Sequence, residues 1–477
     1  LKTKPGSGRW CLCSLADSGT MGCSAAKPCN IHPALQGGHT QRSRGLENLI
    51  LGRYLMSRRR EDILGEGTFS VCRKGIDIET GEGVAIKVYK EHGDGDCSDN
   101  GALSRFQRTI SVLRELQKPF SPPADPALWS EELDHVQASD LFVKLLDFSR
   151  DQGGEPGPDP CTGVLYVVTE LAQYSLKDFF AAQREAGKPL QSEAVWEIAR
   201  SICLATAGLH AKGFVHLDLK PSNLMIFDGR LKLIDIDGCV PVGTLVSKSD
   251  ASISFSPYYC APEWARFLTQ GSAAPISISP SLDVWSAGMT ICEVVHLDEV
   301  MRPTYTEFTE GSSPQRAVYH FMTWLGRLKS VPFPRSVQEF DTGLHSLLSG
   351  KVLACNESQR MTMAQCLNVL SGTDTGRHTA PCTWAFPTQL QGARCHVSEL
   401  ELQFARLQEA ARMASKGSMA SQTSNAARTG YSKAMKVAKH PMVVLGRQAQ
   451  SLKAIVGALK VTPDLDAPPL RSAFEEA

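Results

Sequence analysis

Two glycines and a lysine lie near each other in the first part of the chain, in a setting that suits phosphate binding. Gly65 and Gly67 occupy a turn between two short apolar runs, and Lys87 follows the β-branched run 84–86. Because glycine has no Cβ, the backbone of such a turn can approach a phosphate group closely. A lysine ammonium on the next strand can neutralise phosphate charge. These residues predict a strand–turn–strand unit that binds the phosphates of a nucleotide.

Three polar residues further along the chain suit phosphoryl transfer. Asp218 can accept the proton of a substrate hydroxyl or orient that hydroxyl, and Asn223 follows it in the same loop. Asp235 ends a short apolar run that is typical of a strand. Carboxylate and amide oxygens are the ligands that Mg²⁺ prefers. We therefore predict Asn223 and Asp235 as metal ligands that hold magnesium against the nucleotide phosphates.

The elements that must position these residues change along the chain from strands to helices. Short β-branched runs and Gly-rich turns predict an antiparallel sheet in the first part of the chain. Residues 104–117 have apolar residues at helical spacing, and helical patterns dominate from Ser192 onward, including 194–209 and 281–295. The expected fold class is α+β, with a small sheet-rich lobe that contains one helix and a larger, mainly helical lobe. The Pro-rich segment 119–135 is expected to be a disordered surface loop.

The order of these motifs resembles the eukaryotic protein kinases of the Ser/Thr type. Three later strings carry the resemblance further: 256–263 with its Ala-Pro-Glu, the helix that begins near Asp283, and Arg360 as the late partner of Glu263. The resemblance covers residues 54–371 and implies a bilobal fold, with the N-lobe at about 54–172 and the C-lobe at about 173–371.

The resemblance implies a role for each matching residue. It makes Asp218, Lys220 and Asn223 catalytic, with the Ser256 hydroxyl bridging Asp218 and Lys220, as in Ser/Thr rather than tyrosine kinases. It assigns His216, Ser256, Glu263, Asp283 and Arg360 to structural or regulatory roles. Thr169 is the expected gatekeeper, and 170–172 is the expected adenine-binding hinge. The expected ATP-binding residues are Leu64, Gly65, Glu66, Gly67, Val71, Ala85, Lys87, Thr169, Glu170, Ala172 and Met225, and the expected cofactors are ATP and Mg²⁺.

Four positions depart from the family's pattern, and the mildest departure is Ser70, which replaces the third glycine of the phosphate-binding turn. Thr109 stands where the family has a helix glutamate that pairs with Lys87, so we expect this lysine to be held less firmly and activity to be lowered. Asp237 replaces the glycine of the usual Asp-Phe-Gly, and its carboxylate could share the metals or compete for them. Leu217, in a His-Leu-Asp string, replaces an arginine that clamps a phosphorylated activation loop. Its absence favours constitutive or partner-driven activity.

The motifs together predict an enzyme that transfers the γ-phosphoryl group of Mg·ATP to Ser/Thr hydroxyls of protein substrates. Thr109 and Asp237 leave a pseudokinase open, which would act as a scaffold or allosteric regulator with weak or no phosphotransfer. A small-molecule phosphotransferase could share the catalytic loop. It would not be expected to carry the Ala-Pro-Glu of 261–263 or the Asp283 helix.

Composition limits the partners and the cellular setting. The chain has 477 residues, 42% of them hydrophobic, with 50 basic and 50 acidic residues and 15 cysteines. Such a chain can form a core, and its zero net charge argues against general nucleic-acid binding. No apolar run is long enough to span a membrane, and the scattered cysteines indicate reduced thiols, so a cytoplasmic location is expected.

The two flanks of the kinase-like region have expectations of their own. Residues 1–53 are expected to be a disordered Gly/Ser/Cys-rich leader, in which zinc binding by cysteine and histidine is the lesser alternative. Acylation at Gly22 and Cys23 would anchor the chain to a membrane if translation began at Met21. Residues 372–477 are expected to form a tail, with an amphipathic helix at 397–413 and a basic segment at 420–460 that could also contact a membrane.

Overall fold

A computed structural model describes the chain in seven segments. These are 10–11, 48–67, 69–90, 100–248, 254–270, 274–371 and 384–390. The chain divides into two units, and the described residues of the smaller one are 48–59 and 75–83. The leader apart from 10–11 and 48–53, the helix predicted at 397–413 and the basic segment lie outside the described residues.

The strands and helices of the described residues follow one another along the chain. The strands are β1 (Trp10–Cys11), β2 (Leu49–Ile50), β3 (Tyr54–Met56), β4 (Ile63–Glu66), β5 (Ser70–Asp77), β6 (Gly83–Tyr89), β7 (Leu145–Phe148), β8 (Tyr166–Glu170), β9 (Tyr174–Ser175), β10 (Phe214–Val215), β11 (Leu224–Phe227), β12 (Arg230–Leu233), β13 (Val240–Pro241), β14 (Leu245–Val246), β15 (Ser254–Phe255) and β16 (Ile276–Ser277). The helices are α1 (Asn100–Leu116), α2 (Ala138–Leu141), α3 (Leu176–Glu185), α4 (Ser192–Ala211), α5 (Pro262–Thr269), α6 (Ser281–His296), α7 (Arg302–Thr309), α8 (Pro314–Leu325), α9 (Arg335–Phe340), α10 (Thr342–Leu347) and α11 (Met363–Ser371).

The small lobe of the larger unit is an antiparallel sheet with one long helix. Strands β5, β6, β8 and β7 are neighbours in that order, and β4 pairs with β5. Alternation along β6 buries Val84 and Ile86 on one face and places Ala85, Lys87 and Tyr89 on the other. The predicted helix is confirmed as α1, whose apolar face is fully buried.

The described residues of the smaller unit form a β-meander with an apolar cluster of their own. Strand β2 pairs with β3, and β3 pairs with the Gly75–Asp77 end of β5. Leu55 and Ile76 are buried together. The Arg53 guanidinium donates two hydrogen bonds to the Asp77 carboxylate at 2.9 and 2.6 Å. This pair ties the turn before β3 to the end of β5.

The large lobe is built around two buried helices. Helix α4 packs against α6 and α11, and α6 is buried along nearly its whole length. Trp285 of α6 is fully buried, and a Cβ built on Gly288 would lie 2.6 Å from Val352 Cγ1. The backbone at Gly288 is therefore in close contact with the π-helical turn Leu348–Val352. The α+β, two-lobe organisation expected from the sequence is thus what the structure shows.

The segment 119–135 is ordered, contrary to the expectation of a disordered loop. It forms 3-10 turns at Pro126–Leu128 and Glu131–His135, and Leu133 is 1% exposed. The Ser130 hydroxyl lies 2.9 Å from Asn368 Oδ1 of α11. Anchoring by a helix so distant in sequence explains why local composition gave the wrong prediction.

Residues 384–390 pack on the large lobe beyond the predicted end of the domain. Phe386 is buried and meets Phe179 of α3 edge to face at 5.5 Å. The Tyr174 hydroxyl donates a hydrogen bond to the carbonyl of Pro387.

None of the helices in the described segments combines the length and the apolar character that crossing a bilayer requires.

Candidate active site

The glycine-rich turn between β4 and β5 is tied to the end of β6. The Gly67 N–H donates to the Ser70 carbonyl at 2.9 Å. Lys90 Nζ lies 3.0 Å from the Gly67 carbonyl oxygen and 2.8 Å from Glu66 Oε1. A Cβ on Gly65 would meet nothing within 4 Å, so its exposed backbone is open to a ligand. Leu64, at the start of this turn, is 49% exposed.

The residues expected around adenine come from strands β5, β6, β8 and β11 and from the segment after β8. Ala85 is directly opposite Thr169 in the β6–β8 pair, and Met225 lies on β11. Val71 pairs with Glu66 across the turn. The Glu170 carboxylate accepts hydrogen bonds from Lys232 Nζ at 2.7 Å and from the Lys144 N–H at 2.7 Å, which fixes the start of the expected hinge.

Lys87 is held by two carboxylates, although Thr109 replaces the expected helix glutamate. Its Nζ lies 3.3 Å from Asp235 Oδ1 and 2.6 Å from Asp237 Oδ2. The side chains of the three are only 15–20% exposed. Lys87 therefore has two ion-pair partners, where the sequence predicted a weakly held lysine.

Thr109 is buried on α1 and joins the same network through Tyr89. The Tyr89 hydroxyl lies 3.1 Å from Thr109 Oγ1 and 3.4 Å from Asp237 Oδ2. Burial, with the nearby Asp237 carboxylate, raises the pKa of Tyr89 well above its usual range. Tyr89 therefore stays a protonated hydrogen-bond donor at neutral pH.

Asp218, Lys220 and Ser256 form a buried hydrogen-bonded set. Ser256 Oγ donates to Asp218 Oδ1 at 2.7 Å, and Lys220 Nζ donates to Ser256 Oγ at 2.7 Å. Lys220 Nζ also lies 3.0 Å from Asp218 Oδ2. The ammonium balances the carboxylate charge in a site where an unpaired charge would be costly. The structure thus brings together the three side chains that the family resemblance links.

Asn223 connects this set to Asp235. Its side-chain Nδ2 donates to the main-chain carbonyl oxygen of Asp218 at 2.7 Å. Its main-chain carbonyl oxygen accepts the Ile234 N–H at 2.9 Å. With the amide nitrogen used in this way, the amide oxygen is the atom suited to a cation. Within the described segments no group of three or more His, Cys, Asp or Glu side chains is arranged to hold a metal. A metal here would need the oxygens of Asn223 and Asp235 together with ligands from a nucleotide or water.

Asp283 fixes the backbone that carries the catalytic loop. Its carboxylate accepts the N–H groups of His216 at 2.6 Å and Leu217 at 2.9 Å, and it is fully buried. Leu217 has a φ of 66°, a left-handed conformation that costs a β- or γ-branched residue about 1–2 kcal/mol. His216 also places Nε2 3.0 Å from the Ile234 carbonyl oxygen. These contacts link the loop to the strand that precedes Asp235.

Comparison with known proteins decides the family. The sequence pattern of the protein kinase domain matches residues 132–370. The chain is 30% identical over 273 residues to cyclin-dependent kinase B2-1 of Arabidopsis thaliana, a match that covers 57% of this chain and 73% of that protein. It is 27% identical over 266 residues to the cell division control protein 2 homolog D of Antirrhinum majus, covering 55% of this chain and 70% of the relative.

The chain belongs to the protein kinase family. Its two-lobe structure is the protein kinase fold, and the chain falls within the serine/threonine class. A second Arabidopsis thaliana relative, cyclin-dependent kinase B2-2, is 29% identical over 235 residues, which cover 49% of this chain and 62% of that protein.

A buried ion pair between Arg360 and Glu263 anchors the segment that follows Ser256. Arg360 Nη1 and Nη2 donate to the two Glu263 oxygens at 2.6 and 2.8 Å. Arg360 also donates to the carbonyls of Ala354 and Ser281, and its side chain is 0% exposed. The pair expected from the sequence is therefore present.

Tyr89 and Lys90 are site residues that the sequence analysis missed. A signal was available for Tyr89, because strand alternation places it on the same face as Lys87. Lys90 gave no such signal, since its contact with the glycine-rich turn depends on how β4 folds over β6. Asp237 was singled out, but as a neighbour of the metals and not as the partner of Lys87.

Proposed function

We propose that this kinase transfers the γ-phosphoryl group of Mg·ATP to serine and threonine hydroxyls of protein substrates. The observation that carries the proposal is the buried set of Asp218, Lys220 and Ser256. A carboxylate held by an ammonium and a hydroxyl keeps one geometry, which is what positioning a substrate hydroxyl requires. The three hydrogen bonds leave Asp218 oriented by neighbours on both of its oxygens.

In this proposal Asp218 receives the substrate. Its carboxylate orients the attacking hydroxyl and accepts the proton that leaves it. Lys220 balances the negative charge that gathers beside this carboxylate during transfer. Ser256 is the bridge that holds both, and the lysine at 220 with the serine at 256 favours Ser/Thr over tyrosine substrates by resemblance to the family.

The residues near Lys87 fit a magnesium nucleotide by their donor chemistry. Asn223 and Asp235 offer an amide and a carboxylate oxygen, which are hard donors that suit Mg²⁺ and not a soft metal. Lys87 on β6 offers the charge for the α- and β-phosphates. Mg·ATP supplies the phosphoryl group and the metal's neutralising charge. The glycine-rich turn of Leu64, Gly65, Glu66 and Gly67 would cover the phosphates.

The adenine would lie between the two lobes of the kinase domain. Val71 and Ala85 would face one side of the ring and Met225 the other, with Glu170 and Ala172 at the hinge. The Ala85–Thr169 pairing across β6 and β8 supports this placement, because it sets the small gatekeeper beside the small residue of the ring pocket. A threonine gatekeeper leaves a back pocket that accepts bulky inhibitors.

The loop sequences bear on regulation. Leu217 cannot make the bidentate contacts by which an arginine clamps a phosphate on the activation loop. We therefore propose that activity is constitutive or driven by a partner protein. The Asp-Ile-Asp of 235–237 keeps the metal-binding aspartate and an apolar side chain at Ile236, which is 2% exposed.

A pseudokinase is the second candidate, and Thr109 is the residue that favours it. Without an ion pair to the helix, the lysine could bind nucleotide without supporting transfer. The short contact of Lys87 with Asp237 favours the active enzyme instead.

The test compares phosphate transfer by the wild-type chain with transfer by Asp218→Asn, using Mg·ATP and a mixture of Ser/Thr peptides. Asp228→Asn is the matched control, since Asp228 lies in the exposed β11–β12 turn. We expect transfer by wild type and by the control, and a loss of about 10²-fold or more in Asp218→Asn. Absence of transfer by wild type that still binds Mg·ATP would establish the pseudokinase.

The wider setting is also proposed from the sequence alone. Protein substrates are the expected partners, and nucleic acid is not. Residues 1–53 and 372–477 are proposed as flanks of a kinase domain at 54–371. A cytoplasmic location is proposed, with membrane contact only through Gly22 and Cys23 or through the basic segment.

A further inference from the structure

A bound metal would affect the two acidic partners of Lys87 differently. Asp235 is the proposed magnesium ligand, and a carboxylate that binds Mg²⁺ has less charge to offer a neighbouring ammonium. Asp237 is nearer to the ammonium, at 2.6 Å compared with 3.3 Å. It can keep Lys87 paired while Asp235 serves the metal.

We propose that Asp237 positions Lys87 for the nucleotide phosphates, in place of the helix glutamate that position 109 lacks. The inference rests on the proposed function, since it concerns how the same site holds ATP. It assigns to residue 237 a positioning role that the family gives to helix α1. Asp237 comes from the 3-10 turn Ile236–Gly238, against which α1 packs.

Tyr89 lies between Thr109 of α1 and the Asp237 carboxylate. The Thr109 hydroxyl donates to the Arg105 carbonyl at 2.9 Å, so its oxygen can accept the hydrogen of the Tyr89 hydroxyl. The same Tyr89 hydroxyl lies 3.4 Å from Asp237 Oδ2. Tyr89 thus stands between helix α1 and Asp237. A shift of α1 would move Tyr89 and, through it, the partner of Lys87.

The contacts of Asp237 favour this role over metal binding. Lys87 Nζ and the Tyr89 hydroxyl both approach the same oxygen, Oδ2. The Tyr89 hydroxyl has a single hydrogen, which goes either to Thr109 or to Asp237, whereas the Lys87 ammonium pairs with Asp237 at 2.6 Å. The arrangement is therefore that of an anion paired closely with an ammonium.

The first test separates phosphate binding from adenine binding. We compare wild type with Asp237→Asn for affinity to ATP and to adenosine, both without divalent metal, and follow phosphate transfer with Mg·ATP. Lys87 would contact only the phosphates. We therefore expect Asp237→Asn to weaken ATP binding and to lower kcat/KM for ATP, each by about 10- to 100-fold, with adenosine affinity unchanged.

Two further variants make the test specific. The double variant Thr109→Glu with Asp237→Gly restores the family's pattern. We expect its kcat/KM to be at least about tenfold higher than that of Asp237→Gly alone. Asp147→Asn is the control: Asp147 forms a comparable pair with Arg150, at 2.9 Å on β7, away from Lys87. We expect it to behave as wild type. Thermal unfolding of each variant establishes that it is folded.

Three results would overturn the inference. The first is an ATP affinity of Asp237→Asn equal to that of wild type in the absence of metal. The second is a variant whose only change is a higher Mg²⁺ requirement, which would make Asp237 a metal ligand. The third is an equal loss of ATP and adenosine affinity, which would indicate general damage to the pocket. Failure of wild type to transfer phosphate would instead refute the proposed function, and the binding comparison would still decide the role of Asp237.

Discussion

Replacing Arg360 by methionine removes the buried partner of Glu263 and tests how firmly the segment after Ser256 is anchored. Arg360 donates both Nη groups to the Glu263 carboxylate and further hydrogen bonds to the Ala354 and Ser281 carbonyls. Methionine keeps much of the volume but leaves Glu263 buried without its counter-charge. Breaking a buried pair from one side costs about 3–5 kcal/mol.

The assay is equilibrium unfolding in urea, followed by circular dichroism, with thermal unfolding as a second measurement. For a domain of this size a loss of 3–5 kcal/mol lowers the Tm by about 10 °C. Arg230→Met is the matched control, because Arg230 is 64% exposed in its pair with Asp140 and should contribute at most about 1 kcal/mol. A loss below about 1 kcal/mol in Arg360→Met, or equal losses in the two variants, would refute the reasoning.

The remaining predictions concern the catalytic loop, pH and close packing. Asp283→Asn should lower kcat by about 10- to 100-fold with little change in KM for ATP, because it loosens the loop and not the nucleotide site; an equal rise in KM would contradict this. Burial raises the pKa of Glu293 to about 8, so the folded protein keeps a proton that the unfolded chain, with its ordinary value of 4.5, releases at lower pH. The free energy of unfolding should therefore fall between about pH 5 and pH 8, by up to roughly 1.4 kcal/mol per pH unit, and Glu293→Gln should flatten this slope in unfolding measured against pH. Gly288→Ala should lower the free energy of unfolding by about 1–3 kcal/mol, because a Cβ would lie 2.6 Å from Val352 Cγ1. Gly101→Ala in α1, where a Cβ would meet nothing within 4 Å, should raise it slightly in the same urea assay.

The ordered motifs of the sequence were enough to predict the fold and most of the residues that meet in the site. Each motif has a local cause: a turn that needs glycine, a β-branched strand that ends in lysine, a helix with apolar residues at regular spacing. The sheet-rich first part and the helical second part could be inferred from the order of these elements, whereas the meeting of Asp218, Lys220 and Ser256 was implied by the resemblance to Ser/Thr kinases.

The pairing of Lys87 with Asp237 could not be inferred in the same way. It depends on the left-handed backbone at Asp235, with a φ of 59°, and on the 3-10 turn that follows and turns residue 237 back toward β6. The sequence shows that the helix glutamate is missing at position 109 and that residue 237 carries an extra carboxylate. It does not show that this carboxylate lies where the glutamate would be needed. The ordered segment 119–135 was missed for a related reason, since its anchor, Asn368, belongs to a helix far along the chain.

The most direct measurement is the transfer of labelled γ-phosphate from Mg·ATP to protein substrate, with the phosphorylated amino acid identified and the ADP formed counted against it. If Asp218 and its partners act as proposed, wild type forms phosphoserine or phosphothreonine in step with ADP, and Asp218→Asn forms neither above about one-hundredth of that rate. Phosphotyrosine as the product, equal transfer by both proteins, or no transfer by a wild-type chain that binds Mg·ATP would contradict it.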